Sequence, residues 1–281
     1  MTVGVDLEGR TLRAGVRDLL GEPAQRSIGL SGSGLSRLLI GSEIHRRLQS
    51  DLEATDPGFQ REVPASVVLE IDGWTVEISG RADGVVFEDG RPVRVDEIKS
   101  LHFAVDLNNL YAEERLERFK KQVTLYAFMV SEQNHPAVAR LVLVDIVTHD
   151  EREEEIPWTA ESVQAWIRQQ AHRLIAAEKK REARLERQRQ AAEMVPFPHS
   201  EQRPVQQEIG DWVNQSLADD RHLLLRAPTG CGKTAAVLHP AIRSALSRGK
   251  RVFFLTSKTL QQQIAVATAK TMQEGLFRSL Q

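Results

Sequence analysis

The chain has 281 residues, of which 41% are hydrophobic and 27% charged, a composition typical of a globular protein and not of a disordered or fibrous one. Its net charge of −2 excludes a strongly basic, histone-like protein, although residues 194–281 carry 11 Lys/Arg against 6 Asp/Glu and only the remainder is acidic. The single cysteine, Cys231, excludes an internal disulfide and a four-cysteine zinc or iron–sulfur site, and we expect a cytoplasmic protein because we find no signal peptide and no membrane-spanning apolar run.

The first predicted element is a helix over residues 33–50, because four apolar residues recur there close to the helical period. These residues are Leu35, Leu38, Leu39 and Ile44. Residues 51–64 predict a polar loop. Four short β-like runs follow, and Asp72-Gly73 and Asp89-Gly90 supply hairpin turns between three of them. The runs are 67–71, 74–79, 82–87 and 93–99.

Helical spacing returns at residues 113–131, and residues 140–148 predict another strand. The order helix, antiparallel strands, helix and strand predicts an α/β domain, to which we assign residues 1–158. Residues 159–195 predict a long charged helix, for which a solvated connector is favoured over a DNA-tracking arm. Val195-Pro196-Phe197-Pro198 ends that helix, so a second domain is predicted over residues 196–281.

Residues 80–100 contain the first chemical pattern. Side chains alternate along a strand, so Glu97 and Lys99 point the same way while Asp96 points to the opposite face. Asp83 precedes them across a tight turn, which can bring its carboxylate beside Glu97. Two carboxylates and a lysine form a site for Mg²⁺ or Mn²⁺. Asp83 and Glu97 would hold the metal, while Lys99 would orient a water or stabilise charge on a phosphate during phosphodiester cleavage.

This pattern resembles the PD-(D/E)XK, or restriction-endonuclease-like, superfamily, and within it the RecB-like branch that includes nuclease domains of RecB, AddB and the CRISPR-associated exonucleases. The resemblance covers roughly residues 30–150. It implies that His45, in the run Gly-Ser-Glu-Ile-His, is a further metal ligand. It also implies that Gln122 and Tyr126, one helical turn apart, face the DNA or the metal site. The chain lacks the cysteines that hold an iron–sulfur cluster in some RecB-like nucleases.

The second pattern is Ala-Pro-Thr-Gly-Cys-Gly-Lys-Thr at residues 227–234, which matches the Walker A loop. A strand over residues 222–226 and a helix over residues 235–246 are predicted to flank it. Lys233 would pair with the β- and γ-phosphates of ATP, and Thr234 would ligate Mg²⁺. The predicted ATP contacts are Thr229, Gly230, Cys231, Gly232, Lys233 and Thr234.

The segments before and after the Walker A loop indicate that it belongs to a helicase and not to another class of ATPase. Gln206, in Arg-Pro-Val-Gln, resembles the adenine-reading glutamine of superfamily 2 helicases. Residues 251–263 resemble the next helicase strand, 252–255, followed by a Thr/Ser/Lys-rich turn that contacts the DNA backbone. That turn could also be a simple helix cap. Together, the Walker A run of residues 227–234 and the run of residues 256–263 look most like the XPD/DinG branch, which implies a RecA-like domain.

The chain ends at Gln281 without a Walker B motif, a second RecA-like domain or an arginine finger. We therefore expect the N-terminal portion of a longer nuclease–helicase, with the rest of the motor missing and ATP bound poorly. The predicted function is metal-dependent cleavage of single-stranded DNA or duplex ends, coupled to ATP-driven unwinding in DNA repair or recombination. The alternatives are a catalytically inactive DNA clamp that serves the helicase and, more remotely, a P-loop regulator.

Overall fold

The structure is a computed structural model that describes residues 3–21, 32–108, 111–132 and 134–279. The chain divides into two compact units, Met1–Glu178 (unit 1) and Lys179–Gln281 (unit 2). The division falls inside a long helix, within the segment for which the sequence predicts a connector. Among the described residues, we find no helix that is both long enough and apolar enough to cross a membrane.

The described part of unit 1 contains seven strands and the helices that cover them. In chain order these are β1 (Gly4–Asp6), β2 (Thr11–Gly15), α1 (Val16–Leu19), α2 (Gly32–Thr55), β3 (Phe59–Ile71), β4 (Trp74–Glu88), β5 (Arg91–Leu101), α3 (Phe103–Asp106), α4 (Ala112–Val130), β6 (Val138–Asp145), β7 (Glu151–Ile156) and the first part of α5 (Ala160–Met194). The described strands form one mixed sheet, since β2 runs parallel to β4, β5 runs parallel to β6, and the other pairs are antiparallel. The predicted α/β class is confirmed.

Both predicted hairpin turns are present. Asp72 and Gly73 have φ of 49° and 75°, and Asp89 and Gly90 have φ of 49° and 79°. Two consecutive residues with positive φ match the right-handed twist of the flanking strands, and Asp-Gly adopts that conformation readily. These turns fix the antiparallel pairing of β3 with β4 and of β4 with β5.

The predicted polar loop over residues 51–64 is wrong. Helix α2 continues to Thr55, and β3 begins at Phe59. Among the described strands β3 pairs with β4 alone, so it is an edge strand, where Pro64 is tolerated because no second neighbour needs its missing N–H. The runs predicted at 74–79 and 82–87 are one continuous strand, β4.

Two apolar clusters place helices on both faces of the sheet. The main cluster includes Val95 and Leu101 of β5 together with Val123 and Leu125 of α4. On the opposite face, Ile98, Val142 and Val144 pack against α2 through Ile44, Leu48 and Leu52, which recur every four residues. The side chains of Leu35, Leu38 and Leu39, part of the predicted stripe, lie outside the described residues. Alternation along β5 thus points Glu97 toward the α4 side.

Strand β4 has one edge that is interrupted. β3 occupies one edge along residues 74–86. The other edge is shared, because β2 pairs with residues 75–79 and β5 pairs with residues 84–88. Residues 80–83 therefore face no strand on that edge within the described part of the chain. This interruption lies at the centre of the candidate site described below.

Unit 2 consists of the end of α5 with α6 (Pro204–Ala218), α7 (Lys233–Arg248) and α8 (Thr259–Ser279). The helix predicted after the Walker A loop is confirmed as α7. The strands predicted at 222–226 and 252–255 are wrong, since no described residue of unit 2 lies in a strand. An apolar run becomes a strand only where a neighbour satisfies its N–H and C=O groups, and these runs are unpaired. Leu224 and Leu255 are accordingly 99% and 90% exposed.

Asp96 anchors β5 from the face opposite Glu97, as side-chain alternation predicts. Its carboxylate is 0% exposed and accepts hydrogen bonds from Arg140 at 2.8 and 2.7 Å and from Arg94 at 3.0 Å. A buried ion pair of this kind stabilises the fold only while both partners are charged, because loss of one leaves the other without a counter-charge. We assign Asp96 a structural role.

Asp96→Asn should lower the free energy of unfolding by about 3 kcal/mol, because Arg140 would lose its buried counter-charge. Urea denaturation measures this. Glu153 bonds the same Arg140 at 2.8 Å but has a side chain 48% exposed, so Glu153→Gln should cost less than about 1 kcal/mol. Equal losses in the two variants would contradict the assignment.

Candidate metal centre and phosphate-binding loop

The interruption in β4 is filled by side chains instead of a strand. The N–H of Arg81 donates to Tyr126 Oη at 3.3 Å, and Gln49 Nε2 donates to the carbonyl oxygen of Asp83 at 2.7 Å. Tyr126 reaches this position because Gly80 has no side chain, since a Cβ there would lie 2.8 Å from Tyr126 Oη. Helices α2 and α4, on opposite faces, thus both reach the edge of β4 at the interruption.

Asp83 lies where β4 and β5 diverge. Its Oδ2 accepts a hydrogen bond from the N–H of Ile98 at 2.9 Å, and its Oδ1 lies 3.7 Å from His45 Nε2. One carboxylate thus connects β5 to α2. His45 Nε2 is buried and makes no hydrogen bond among the described residues. That nitrogen is therefore directed at Asp83 without a hydrogen bond of its own.

Glu97 is buried beside Asp83. The side chain is 0% exposed, Oε1 accepts a hydrogen bond from Lys99 Nζ, and Oε2 makes no hydrogen bond within the described part of the chain. Burial raises the pKa of Glu97 to about 8, Lys99 opposes that rise, and the neighbouring Asp83 carboxylate adds to it. The Lys99 ammonium also lies 5.4 Å from the centre of the Phe119 ring.

Gln122 and Tyr126 lie on the buried side of α4, with exposed fractions of 5% and 4%. Burial raises the pKa of Tyr126 to about 12, and the charges of Glu97 and Asp83 add to the rise. The structure therefore brings together Asp83, Glu97, Lys99, His45 and Tyr126, and it buries Gln122 one helical turn from Tyr126.

These groups fit a divalent cation. Carboxylate oxygens and an imidazole nitrogen are ligands of Mg²⁺ and Mn²⁺. Glu97 Oε2 and His45 Nε2 are both buried without a hydrogen bond among the described residues, which costs free energy that a cation would offset. The donor set is therefore suited to an ion held between Asp83 and His45, whereas Glu97 lies beside Asp83 but does not belong to the group of ligand atoms within 4.8 Å of one another.

Two residues near Asp83 were missed from the sequence. Gln49 follows His45 by four residues, so helical spacing could have placed both on one flank of α2. Glu62 lies in the region for which the sequence wrongly predicts a loop. Its carboxylate, His45 and Asp83 offer ligand atoms within 4.8 Å of one another. No local signal in the sequence marks Glu62.

The Walker A loop of unit 2 has the backbone that its glycines predict. Gly230 and Gly232 have φ of 81° and 82°, and α7 begins at Lys233. Lys233 Nζ donates to the carbonyl oxygens of Ala227 at 3.0 Å and Pro228 at 2.6 Å, so it spans the loop. Thr229 and Gly230 are exposed, and Cys231, Gly232, Lys233 and Thr234 are half-buried.

Gln206 lies against this loop. It is 4% exposed, and its Oε1 accepts the N–H of Arg203 at 3.0 Å, which caps the start of α6. A Cβ on Gly232 would lie 2.0 Å from Gln206 Nε2. Gln206 therefore lies beside the Walker A loop, and its side-chain amide oxygen already accepts a hydrogen bond from the backbone N–H of Arg203.

Comparison with known proteins finds one family model that matches a segment of the second unit. Residues 203–279 match the family of DEAD/DEAH box helicases, which supports a helicase-like, ATP-using function for that segment. No curated protein matches the chain. A solved structure described as "Crystal structure of SSO0001" is 20% identical, covering 59% of this chain and 77% of that chain, with a TM-score of 0.40. A TM-score of that size does not establish a shared fold.

The stability of the metal-free protein should fall as the pH rises, because of Glu97. Its pKa is about 8 in the folded protein and 4.5 without the protein environment, so between those values the folded state keeps a proton that the unfolded state has lost. The stabilisation is complete below the lower value and is lost as the pH passes the higher one. Glu97→Gln should therefore gain a few kcal/mol relative to wild type between about pH 5 and about pH 9.

Urea denaturation in EDTA at both pH values measures this gain. Glu70→Gln, an exposed substitution on β3, is the matched control and should show no such trend. A difference between Glu97→Gln and wild type that does not change with pH would contradict the assignment.

Gly232→Ala should weaken nucleotide binding by about tenfold, because the new Cβ meets Gln206 and the residue must keep a positive φ. Titration with a fluorescent ATP analogue and Mg²⁺ measures the dissociation constant. Gly210→Ala is the control, since its Cβ would meet only atoms at 3.8 Å or beyond. Unchanged binding in Gly232→Ala would show that the loop geometry does not set nucleotide affinity.

Proposed function

We propose that unit 1 is a divalent-metal-dependent DNA nuclease of the PD-(D/E)XK, RecB-like kind. The observation that carries the proposal is the meeting of Asp83 and Glu97 where β4 and β5 diverge, with Lys99 bonded to Glu97. Carboxylates that converge with a lysine suit phosphodiester cleavage, which needs an activated water and a positive charge near the phosphate. The burial of Glu97 keeps this chemistry away from bulk solvent.

A bound Mg²⁺ or Mn²⁺ would supply an activated water and neutralise charge on the scissile phosphate. Asp83, Glu97 and His45 would hold the ion. Glu97 must lose its proton to serve as a ligand, so ion binding should be tighter at higher pH. Lys99, fixed on one side by Glu97, would orient the water or stabilise the phosphate.

Tyr126 and Gln122 would act beside the ion. The pKa of Tyr126, about 12, keeps its hydroxyl protonated, so the oxygen that accepts the Arg81 N–H retains a proton to donate. That proton can bind a DNA phosphate or a ligand carboxylate. Gln122, one turn earlier on α4, would face the DNA or the metal site from the same side of the helix as Tyr126.

For unit 2 we propose the nucleotide-binding part of a DNA helicase motor. The family match and the Walker A geometry support ATP as the nucleotide. On binding, Lys233 would exchange the loop carbonyls for the β- and γ-phosphates, and Thr234 would ligate Mg²⁺. The runs at residues 227–234 and 256–263 favour the XPD/DinG branch. Coupling of unwinding to cutting would suit DNA repair or recombination.

Lys99→Ala should lower Mn²⁺- or Mg²⁺-dependent cleavage by at least about a hundredfold, because one charge that stabilises the transition state is removed. Cleavage of end-labelled single-stranded and duplex DNA measures the effect. Lys120→Ala is the control, since Lys120 lies on α4 and pairs with the exposed Glu154 at 2.7 Å. Wild-type protein that binds DNA without cutting it under either metal would favour the inactive clamp instead.

A further inference from the structure

We propose that Glu62 is a metal ligand, which closes the cation site of unit 1 on its solvent side together with His45 and Asp83. The ligand atoms of these three residues lie within 4.8 Å of one another. A divalent ion with ligands at about 2.2 Å holds opposed ligands about 4.4 Å apart, so a small closure of the side chains suffices. The inference rests on the proposed metal-dependent function of the same site.

The backbone directs Glu62 to this position. The β3–β4 ladder pairs Arg61 with Gly84 and Val63 with Ala82, which places Glu62 opposite Asp83, yet these two residues are not themselves paired. Glu62 has φ of 55°, a conformation that a residue with a Cβ adopts at a cost in free energy. The strand thus departs from regular pairing at the one residue that faces Asp83.

A second observation at the same position points to a ligand. Glu97 is fully buried, adjoins Asp83 and leaves Oε2 without a hydrogen bond among the described residues, as does the buried His45 Nε2. Two buried polar atoms without a hydrogen bond among the described residues thus lie near Asp83. An ion bound by His45 and Asp83 would give His45 Nε2 a partner, and Glu62 would supply a carboxylate from the exposed side.

An ion pair does not explain the position of Glu62. Its counter-charge is Arg81 Nη1, 3.8 Å from Glu62 Oε2, and the side chains of Arg81 and Glu62 are 62% and 49% exposed. An exposed pair at that distance contributes little and would not hold a strained backbone. Because Glu62 is exposed where Glu97 is buried, it is also the ligand that an entering ion would meet first.

The test measures Mn²⁺ binding to the full 281-residue chain from the electron paramagnetic resonance signal of the free ion. Glu62→Gln should raise the dissociation constant by about tenfold or more. Glu70→Gln is the control, because Glu70 is exposed on the same strand but bonds Thr75 Oγ1 at 2.9 Å, away from the site. Binding to Glu62→Gln as tight as to wild type would overturn the inference.

A second variant, Glu62→Gly, tests whether weaker Mn²⁺ binding could result from loss of folding. Glycine adopts positive φ readily, so this variant should melt at or above the wild-type temperature while it binds Mn²⁺ as weakly as Glu62→Gln. A Glu62→Gly protein that is folded and binds Mn²⁺ like wild type would also overturn the inference. The fold of the variants is checked by circular dichroism.

The same measurements separate this inference from the proposed nuclease function. If Glu62→Gln weakens Mn²⁺ binding but wild type never cuts DNA, the ligand assignment stands and the nuclease proposal fails. If cutting requires Mn²⁺ and Lys99, yet Glu62→Gln binds Mn²⁺ like wild type, the nuclease stands and the ligand assignment fails. Wild type that binds no Mn²⁺ would overturn both.

Discussion

The four residues of β4 that have no strand on one edge impose the constraint on which unit 1 depends. Backbone N–H and C=O groups inside a protein must find partners, and β2 and β5 leave those of residues 80–83 to side chains. Tyr126 from α4 and Gln49 from α2 supply hydrogen bonds to the backbone of β4. The Asp83 carboxylate accepts a hydrogen bond from the backbone N–H of Ile98 in β5. The unpaired backbone of β4 therefore explains why the residues of the candidate site lie together. The side chains that hydrogen-bond to this edge are the same ones that surround Asp83.

The two carboxylates at this position have different surroundings. Asp83 accepts a hydrogen bond from a backbone N–H, whereas Glu97 is buried and its Oε1 accepts a hydrogen bond from Lys99. Burial favours the protonated form of Glu97, so a cation that used Glu97 as a ligand would have to displace that proton. Ion binding at Glu97 would thereby be coupled to proton release. Asp96, the next residue back, is isolated from this chemistry by the sheet itself.

Local patterns predicted the residues of the site better than the sheet around them. Strand alternation and the Asp-Gly turns predict that Asp83 lies on the strand next to Glu97 and Lys99, as it does in the structure, because both signals act over a few residues. Glu62 was missed, since its role depends on standing opposite Asp83 across a strand pair that has no local signature. The strands predicted in unit 2 failed for the same reason, because hydrophobic runs report burial but not the neighbour that a strand requires. Pairing across the sheet is the part of the fold that single-sequence patterns did not give.

Strand β7 ends the sheet with an unusual outer edge. Residues Glu151, Arg152, Glu153, Glu154 and Glu155 are all exposed there. A bare sheet edge invites the same edge of another molecule to hydrogen-bond to it. If two copies met in this way, glutamates would face glutamates along most of the contact, and like charges opposite one another are destabilising. The acidity of β7 thus disfavours assembly of the protein into extended intermolecular sheets.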